Sequence, residues 1–290
     1  MRSITAVVEN DQCIACGACI EACPANAIEP AYDPGRGAHE VRVRTETSCD
    51  TCESECRSVC PSVAFAFHEA VPDLTGAALR LGPIRSLRLS HAPAHQFNGV
   101  SSSGGLVRVL VEAWLARRRT VICLGPTDRG YGAVAIDDPG DLARLPGSIY
   151  HSVTFNDLIP LLRAAPAPVM VVAIPCVFEG LARYLDTFAP ELETRIGLRV
   201  GLICGWMFSD HAWQAFARHR GIEEPVRDVQ YRGEDKVGQL KLRTDSAVHR
   251  FSRREFPTAR DEAAFRASFS RVYNRLRCRL CEDHLNVLAD

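Results

Sequence analysis

The chemistry open to this chain is set by its thirteen cysteines. "CIACGACIEACP" spaces Cys13, Cys16, Cys19 and Cys23 as C-x2-C-x2-C-x3-C-P. So tight a loop turns three thiolates toward one face of a 4Fe-4S cluster, while the proline-linked fourth cysteine points at a second cluster. "CDTCESECRSVCP" then supplies Cys49, Cys52, Cys56 and Cys60, again followed by proline. Three residues rather than two separate Cys52 from Cys56, so this second loop must bulge. Zinc also takes four thiolates, and the second run taken alone is the more open to it. "PANAI" and "PSVAF" repeat one local plan after each fourth cysteine, which argues for two like clusters.

Over residues 4 to 68 these motifs resemble a two-cluster bacterial ferredoxin. The resemblance implies crossed ligation. Cys13, Cys16 and Cys19 would pair with Cys60, and Cys49, Cys52 and Cys56 with Cys23.

The elements that position these residues come next. A chain of 290 residues can bury a sizeable core and hold one small and one large domain. At 47% hydrophobic and 24% charged it has an ordinary globular mix. A net charge of −1 gives no reason to expect a nucleic-acid or membrane-surface partner. The longest apolar run, "PVMVVAIPCVF", is broken by Pro175 and falls short of the roughly 18 residues of a membrane span. The start of the chain has too few apolar residues for a secretory signal. The expectation is a cytoplasmic protein without a transmembrane segment, whose cysteines bind metal rather than form disulfides.

Residues 1–70 read as the ferredoxin-like domain and 71–100, with Pro72, Pro83 and Pro93, as linker and entry segment. From 101 to 290 short apolar runs alternate with amphipathic ones. "GGLVRVLVEAWLARRR", "TFNDLIPLLRAA" and "VFEGLARYLDTF" predict helices; "TVICLG", "YGAVAID", "PVMVVAI" and "LRVGLICG" predict strands. "VRDVQYRG", "VGQLKLR" and "SAVHRFS" follow as antiparallel candidates. The fold class expected is α+β or α/β: a small ferredoxin-like domain, then a mixed, partly parallel sheet with packed helices.

Cys176 and Cys204 each follow an apolar strand of one βαβ unit, so both fall at the carboxyl edge where open sheets bind ligands. Neighbouring strands lie about 4.8 Å apart, so the two thiols can share a cluster. Cys123 lies inside its strand and reads as core. The late pair in "CRLCEDHLNVLAD", Cys278 and Cys281, then completes a third set of four with Cys176 and Cys204. "SSSGG", with Ser102, Ser103, Gly104 and Gly105, opens a helix and leaves backbone N–H groups for a phosphate; a plain serine cap is the simpler use.

"SSGGLVRVLVEAWL", "AIPCVFEGLARYL", "VGLICG", "VQYRG" and "CRLCEDHLNVLAD" together resemble the beta subunits of coenzyme F-420 hydrogenases and dehydrogenases, from about Ser101 to the end. That family includes formate dehydrogenase beta subunits and chlorophyll-pathway reductases. The resemblance implies FAD, with its pyrophosphate near Ser102 to Gly105, beside a third 4Fe-4S cluster on Cys176, Cys204, Cys278 and Cys281. Family members usually run several dozen residues beyond the "LAD" step, so the domain is expected to be short at its C-terminus.

The function expected is an oxidoreductase linking a hydride carrier, coenzyme F-420 or a nicotinamide, through FAD and three 4Fe-4S clusters to a partner protein or substrate. Clusters carry single electrons and hydride carriers give pairs; a flavin handles both. Two alternatives stand beside it. One is a flavin-free electron-relay or docking subunit, and the other a ferredoxin-dependent reductase of a chlorophyll-type precursor. No acid or base stands out, and no motif identifies the donor.

Overall fold

The computed structural model describes residues 3–44, 49, 52–63, 84–94, 101–232, 239–252, 256–281 and 283–290. Most of the expected linker lies outside these residues, and 84–94 form neither helix nor strand.

The first part is built from short pieces: α1 (Thr5–Glu9), α2 (Ala18–Glu21), β1 (Ile28–Asp33), β2 (Ala38–Val43) and α3 (Glu55–Ser58). Strands β1 and β2 form an antiparallel hairpin in its own two-stranded sheet. The two short helices each carry cysteines, Cys19 on α2 and Cys56 on α3.

The second part begins with α4 (Leu106–Leu115), β3 (Val121–Thr127), β4 (Gly130–Ile136), α5 (Leu158–Ala164), β5 (Val169–Ala173), α6 (Pro175–Phe188) and β6 (Ile196–Gly201). Its four strands lie in the order β4-β3-β5-β6. β3, β5 and β6 run parallel, while β4 turns back antiparallel on β3. A parallel sheet must be covered on both faces, and strand periodicity shows how. Val169, Val171 and Ala173 of β5 share a core with α5, α6 and the cysteine loops. Met170 and Val172 face the opposite way, onto Val111, Trp114 and Leu115 of α4. All five residues of β5 are buried, as befits the centre of a two-faced sheet.

Helix α6 starts cleanly because Pro175 occupies its first turn, where no backbone donor is missed. Its buried residues Val177, Phe178, Leu181, Tyr184 and Leu185 recur at helical spacing and face the sheet.

The chain continues through α7 (His211–His219), β7 (Asp228–Gln230), β8 (Gln239–Arg243), β9 (Val248–Ser252), α8 (Ala259–Ser268) and α9 (Leu276–Arg279). The three strands are antiparallel, as expected, but they form a sheet of their own rather than extend the first. The mixed character of the main sheet comes from β4 alone. Val229, Leu240 and Leu242 pack under Phe216 and Ala217 of α7 in a separate core. Helices α7 and α8 were not anticipated; in α8 the buried apolar face is nearly absent.

Two hydrogen bonds fasten this second sheet to the first. The Tyr131 hydroxyl donates to Asp228 Oδ1 at 2.7 Å, and His151 Nδ1 lies 2.9 Å from the Tyr231 hydroxyl. Burial pushes the His151 imidazole down to about 4, whereas an unfolded histidine titrates near 6.5. Between those values the unfolded chain binds a proton that the folded chain refuses. Stability is therefore fully present above about pH 6.5 and is lost as pH falls toward 4. Melting the full-length protein at pH 7 and pH 5 should show a smaller drop for His151→Gln than for wild type; an equal drop would remove His151 from the cause.

Candidate metal centres and helix start

The first cysteine loop needs unusual backbone, with Ala15 at φ 52° and Gly17 at φ 82°. A side chain at Gly17 would be strained and would meet the backbone of Asn156 at 2.5 Å. The loop thus lies directly on the 154–156 segment, and the Phe155 N–H donates to the Ala15 carbonyl at 2.8 Å. On the other side Gly180 of α6 leaves room for the loop: a Cβ there would stand 3.0 Å from Cys16 Sγ and 3.6 Å from Pro61.

The twelve cysteines gather as three groups of four. Burial, the largest effect, raises the Cys16 and Cys19 thiols, and the nearby sulfurs of Cys13 and Cys60 raise them further. Cys60 is pushed up to about 11 in the same way, by burial and by Cys13. Cys56 is likewise raised to about 11 by burial and then by Cys23, Cys52 and Cys49. A small cavity is lined by those same four, Cys23, Cys49, Cys52 and Cys56. The third group forms around α6. Cys176, in the first turn, is raised by burial and then by Cys204, Cys278 and Cys281; Cys204 is raised to about 12 by burial, Cys278 and Cys281.

Cys176 and Cys204 sit a little beyond the strands they were read as ending. Cys176 is the second residue of α6, and Cys204 lies three residues past β6. Both remain at the carboxyl edge of adjacent parallel strands. Cys123 is buried within β3 and belongs to the core packed on α4.

The C-terminal segment closes this edge. Asn286 donates from its amide to the carbonyls of Ala173 and Leu202, at 2.9 and 3.3 Å. The Cys204 N–H donates to the His284 carbonyl at 3.0 Å, and Asp290 accepts from the Arg199 N–H at 2.7 Å. Gly201 lets the segment lie flat on β6, since a Cβ there would stand 2.5 Å from Ala289. Asp283 caps the turn by accepting from the N–H groups of Leu285, Asn286 and Val287.

Two buried arginines, unremarked in the sequence, join the first and third groups. Arg275, 2% exposed, donates to the carbonyl of Cys13 at 2.9 Å and pairs with Asp11 at 2.7 Å. Arg277, 5% exposed, donates to the Pro61 carbonyl at 3.1 Å and lies 3.6 Å from Glu179. The sequence signal was available: Arg277 and Arg275 stand one and three residues before Cys278. The positive charge of Arg277 favours the thiolates of Cys60, Cys176, Cys278 and Cys281.

Sulfur also receives backbone donors. Ala15, Ala27, Ser62 and Met207 point N–H groups at Cys13, Cys23, Cys60 and Cys278, at 3.4–3.5 Å. Such donors stabilise a thiolate. Among the described residues no three His, Cys, Asp or Glu side chains close on a single metal ion. The sulfurs stand near enough to repel one another as thiolates without converging on one point. All-thiolate sets of this kind suit soft metals and iron–sulfur clusters.

At the other candidate site, α4 begins after Gly105, whose φ is 76°, and no side chain caps its first N–H groups. Ser102 accepts from the Ser148 N–H at 2.6 Å, so its hydroxyl serves the fold. Ser101 is buried, and its hydroxyl has no partner among the described residues. Ser103 and Gly104 complete the turn into the helix, and the Gly104 carbonyl accepts from the Ala92 N–H at 2.7 Å.

Fold and thiol groups together define an iron–sulfur electron-transfer protein, and comparison with known families makes the class specific. Residues 12–64 match the 4Fe-4S dicluster domain. Residues 167–290 match the family described as the C terminus of the coenzyme F420 hydrogenase/dehydrogenase beta subunit. No curated protein matches the sequence significantly. Among solved structures, the xenon-derivatised F420-reducing [NiFe] hydrogenase complex from Methanosarcina barkeri contains a similar chain. The two are 16% identical, the match covers 70% of this chain and 72% of that one, and the TM-score is 0.48. No helix among the described residues is long and apolar enough to cross a membrane.

Removing residues 278–290 takes away two thiols of the third group and the bonds that reach Leu202, Cys204 and Met207 from that segment. If each of the three groups holds a 4Fe-4S cluster, iron in the anaerobically purified truncation should fall by about a third. Hydrogen exchange at 202–207 should quicken, because metal binding and local folding are coupled. Unchanged iron would show that the late pair holds none.

Proposed function

We propose that this chain is an iron–sulfur flavoprotein oxidoreductase that passes electrons between a hydride carrier and a partner protein. The supporting observation is the placing of Cys176 and Gly180 on one helix. They are four residues apart, about 6 Å along the axis, and Gly180 abuts Cys16. Groups held by the third and first cysteine sets would therefore be neighbours, and the second set follows through Cys19 and Cys56.

In this reading Cys13, Cys16, Cys19 and Cys60 hold one 4Fe-4S cluster, Cys23, Cys49, Cys52 and Cys56 a second, and Cys176, Cys204, Cys278 and Cys281 a third. The domain division at 1–70, 71–100 and 101–290 follows the same proposal. FAD, when bound, supplies the exchange between electron pairs and single electrons that clusters cannot perform. The uncapped N–H groups after Gly105 suit its pyrophosphate, with Ser102, Ser103 and Gly104 forming the approach. Ser101 offers a buried hydroxyl beside them.

The chain's own part is to seat and insulate. Burial raises one thiol at the heart of each set, Cys19, Cys56 and Cys176, above its ordinary range. Arg275 and Arg277 supply positive charge and fix the spacing of two groups, and the C-terminal segment covers the third.

Anaerobically purified full-length protein should carry about twelve irons by this pattern and one FAD per chain. Gly105→Val should lower FAD occupancy about tenfold, equivalent to about 1.4 kcal/mol, with iron unchanged. Wild-type protein with full iron but no flavin would favour the electron-relay reading instead. Equal FAD in both proteins would move the pyrophosphate elsewhere.

A further inference from the structure

Arg277 is 5% exposed and stands between two of the cysteine sets. It directly precedes Cys278 of the third set. Its guanidinium donates at 3.1 Å to the carbonyl of Pro61, the residue after Cys60 of the first set. Glu179, on α6, lies 3.6 Å away. The next residue, Gly180, abuts Cys16, and Cys176 stands about one turn earlier on the same helix. One buried cation is thus set into the frame of both sets.

Its charge is only partly offset. The closer partner of Glu179 is Arg183, at 2.9 Å from Oε1, while Arg277 meets the other oxygen at the longer distance. Burial raises the Glu179 carboxyl, and the two guanidiniums beside it work against that rise. Asp283, the other carboxylate that acts on Glu179, accepts from the N–H groups of its own turn. Two cations sharing one carboxylate leave net positive charge at this point of the interior.

That charge reaches two sets and not the other. It favours the thiolates of Cys60 in the first set and of Cys176, Cys278 and Cys281 in the third. In the second set, the charges that act most on Cys56 are those of Cys23, Cys52 and Cys49, all members of the same set. A buried charge is little screened, and its effect falls with distance.

We infer that Arg277 raises the reduction potentials of the clusters held by the first and third sets together, and leaves that of the second unaffected. The inference rests on the proposed function for the presence of those clusters. Reduction adds one electron, and so one negative charge, with no bond made or broken; net charge around a cluster is one of the terms that set its potential. A fixed cation nearby therefore favours the reduced form. A guanidinium suits this use because it keeps its proton at any working pH. Because one charge serves both sets, it moves the two potentials in the same direction.

Full-length, anaerobically purified protein would be taken through a potentiometric titration followed by electron paramagnetic resonance, with iron measured in the same samples. Arg277→Gln keeps a donor for the Pro61 carbonyl and removes the charge. It should lower two of the three potentials by about 59 mV, a tenfold change in a one-electron equilibrium, with the remaining potential and the iron unchanged. Arg277→Lys, which keeps the charge, should leave all three near wild type. Glu179→Gln removes the opposing charge and should move the same two upward. Unmoved potentials in Arg277→Gln would overturn the proposal. So would an equal fall in all three, or a fall in Arg277→Lys as large as in Arg277→Gln. Should Arg277→Gln fail to take up iron, unmoved potentials in Glu179→Gln would overturn it instead. Wild-type protein that takes up no iron would sink the cluster reading itself, whereas unmoved potentials in iron-loaded protein leave that reading standing.

Discussion

Two buried guanidiniums tie the end of this chain to its cysteine loops. Arg275 and Arg277, at the start of the last helix, reach across to the carbonyls of Cys13 and Pro61, more than two hundred residues earlier. Each also meets a carboxylate, Asp11 or Glu179. Both guanidiniums are buried, so removing the carboxylate beside either one leaves a buried charge short of a partner, which is destabilising. The same two residues lie beside the late cysteines, so the bonds that reach the first cysteine loop start next to Cys278 and Cys281.

Glycine contacts set the tolerances of that docking. Gly17 meets Asn156, Gly180 meets Cys16, and Gly201 meets Ala289, each closer than a side chain would readily permit. Three backbone surfaces are thereby brought against the cysteine loops and the end of the chain. Close packing of this kind transmits small shifts, since interiors have few voids to absorb them. Seclusion raises the titration ranges of the buried thiols Cys19, Cys60 and Cys176. A bound metal, the N–H donors at sulfur and Arg277 all work against that rise.

The junction between the β1–β2 hairpin and the two sheets is polar where the rest of the core is apolar. Asp210, Asp228, His39 and His151 gather there, each tied to a tyrosine, an arginine or a backbone group. Burial and the nearby Arg129 keep His39 below its usual range, and burial does the same for His151. Both imidazoles are therefore neutral at physiological pH. That leaves the junction with fixed dipoles and rings rather than mobile charge.

Much of this was legible in the residues themselves. The spacing of Cys13 to Cys23 fixes its own loop, because thiolate convergence over two-residue gaps is a local matter. The strands β3, β5 and β6 and helices α4 to α6 were also visible, since apolar period reports burial directly. The βαβ rule placed Cys176 and Cys204 on one sheet edge, whereas the late pair was joined to them only because four unassigned thiols remained. Tertiary structure decided what sequence spacing cannot encode. The antiparallel strands formed a second sheet because Phe216 and its neighbours gave them a separate core. Helix α8 escaped notice because little of it is buried. Arg275 and Arg277 were not singled out by spacing, because only the fold buries them against carbonyls from the far end of the chain.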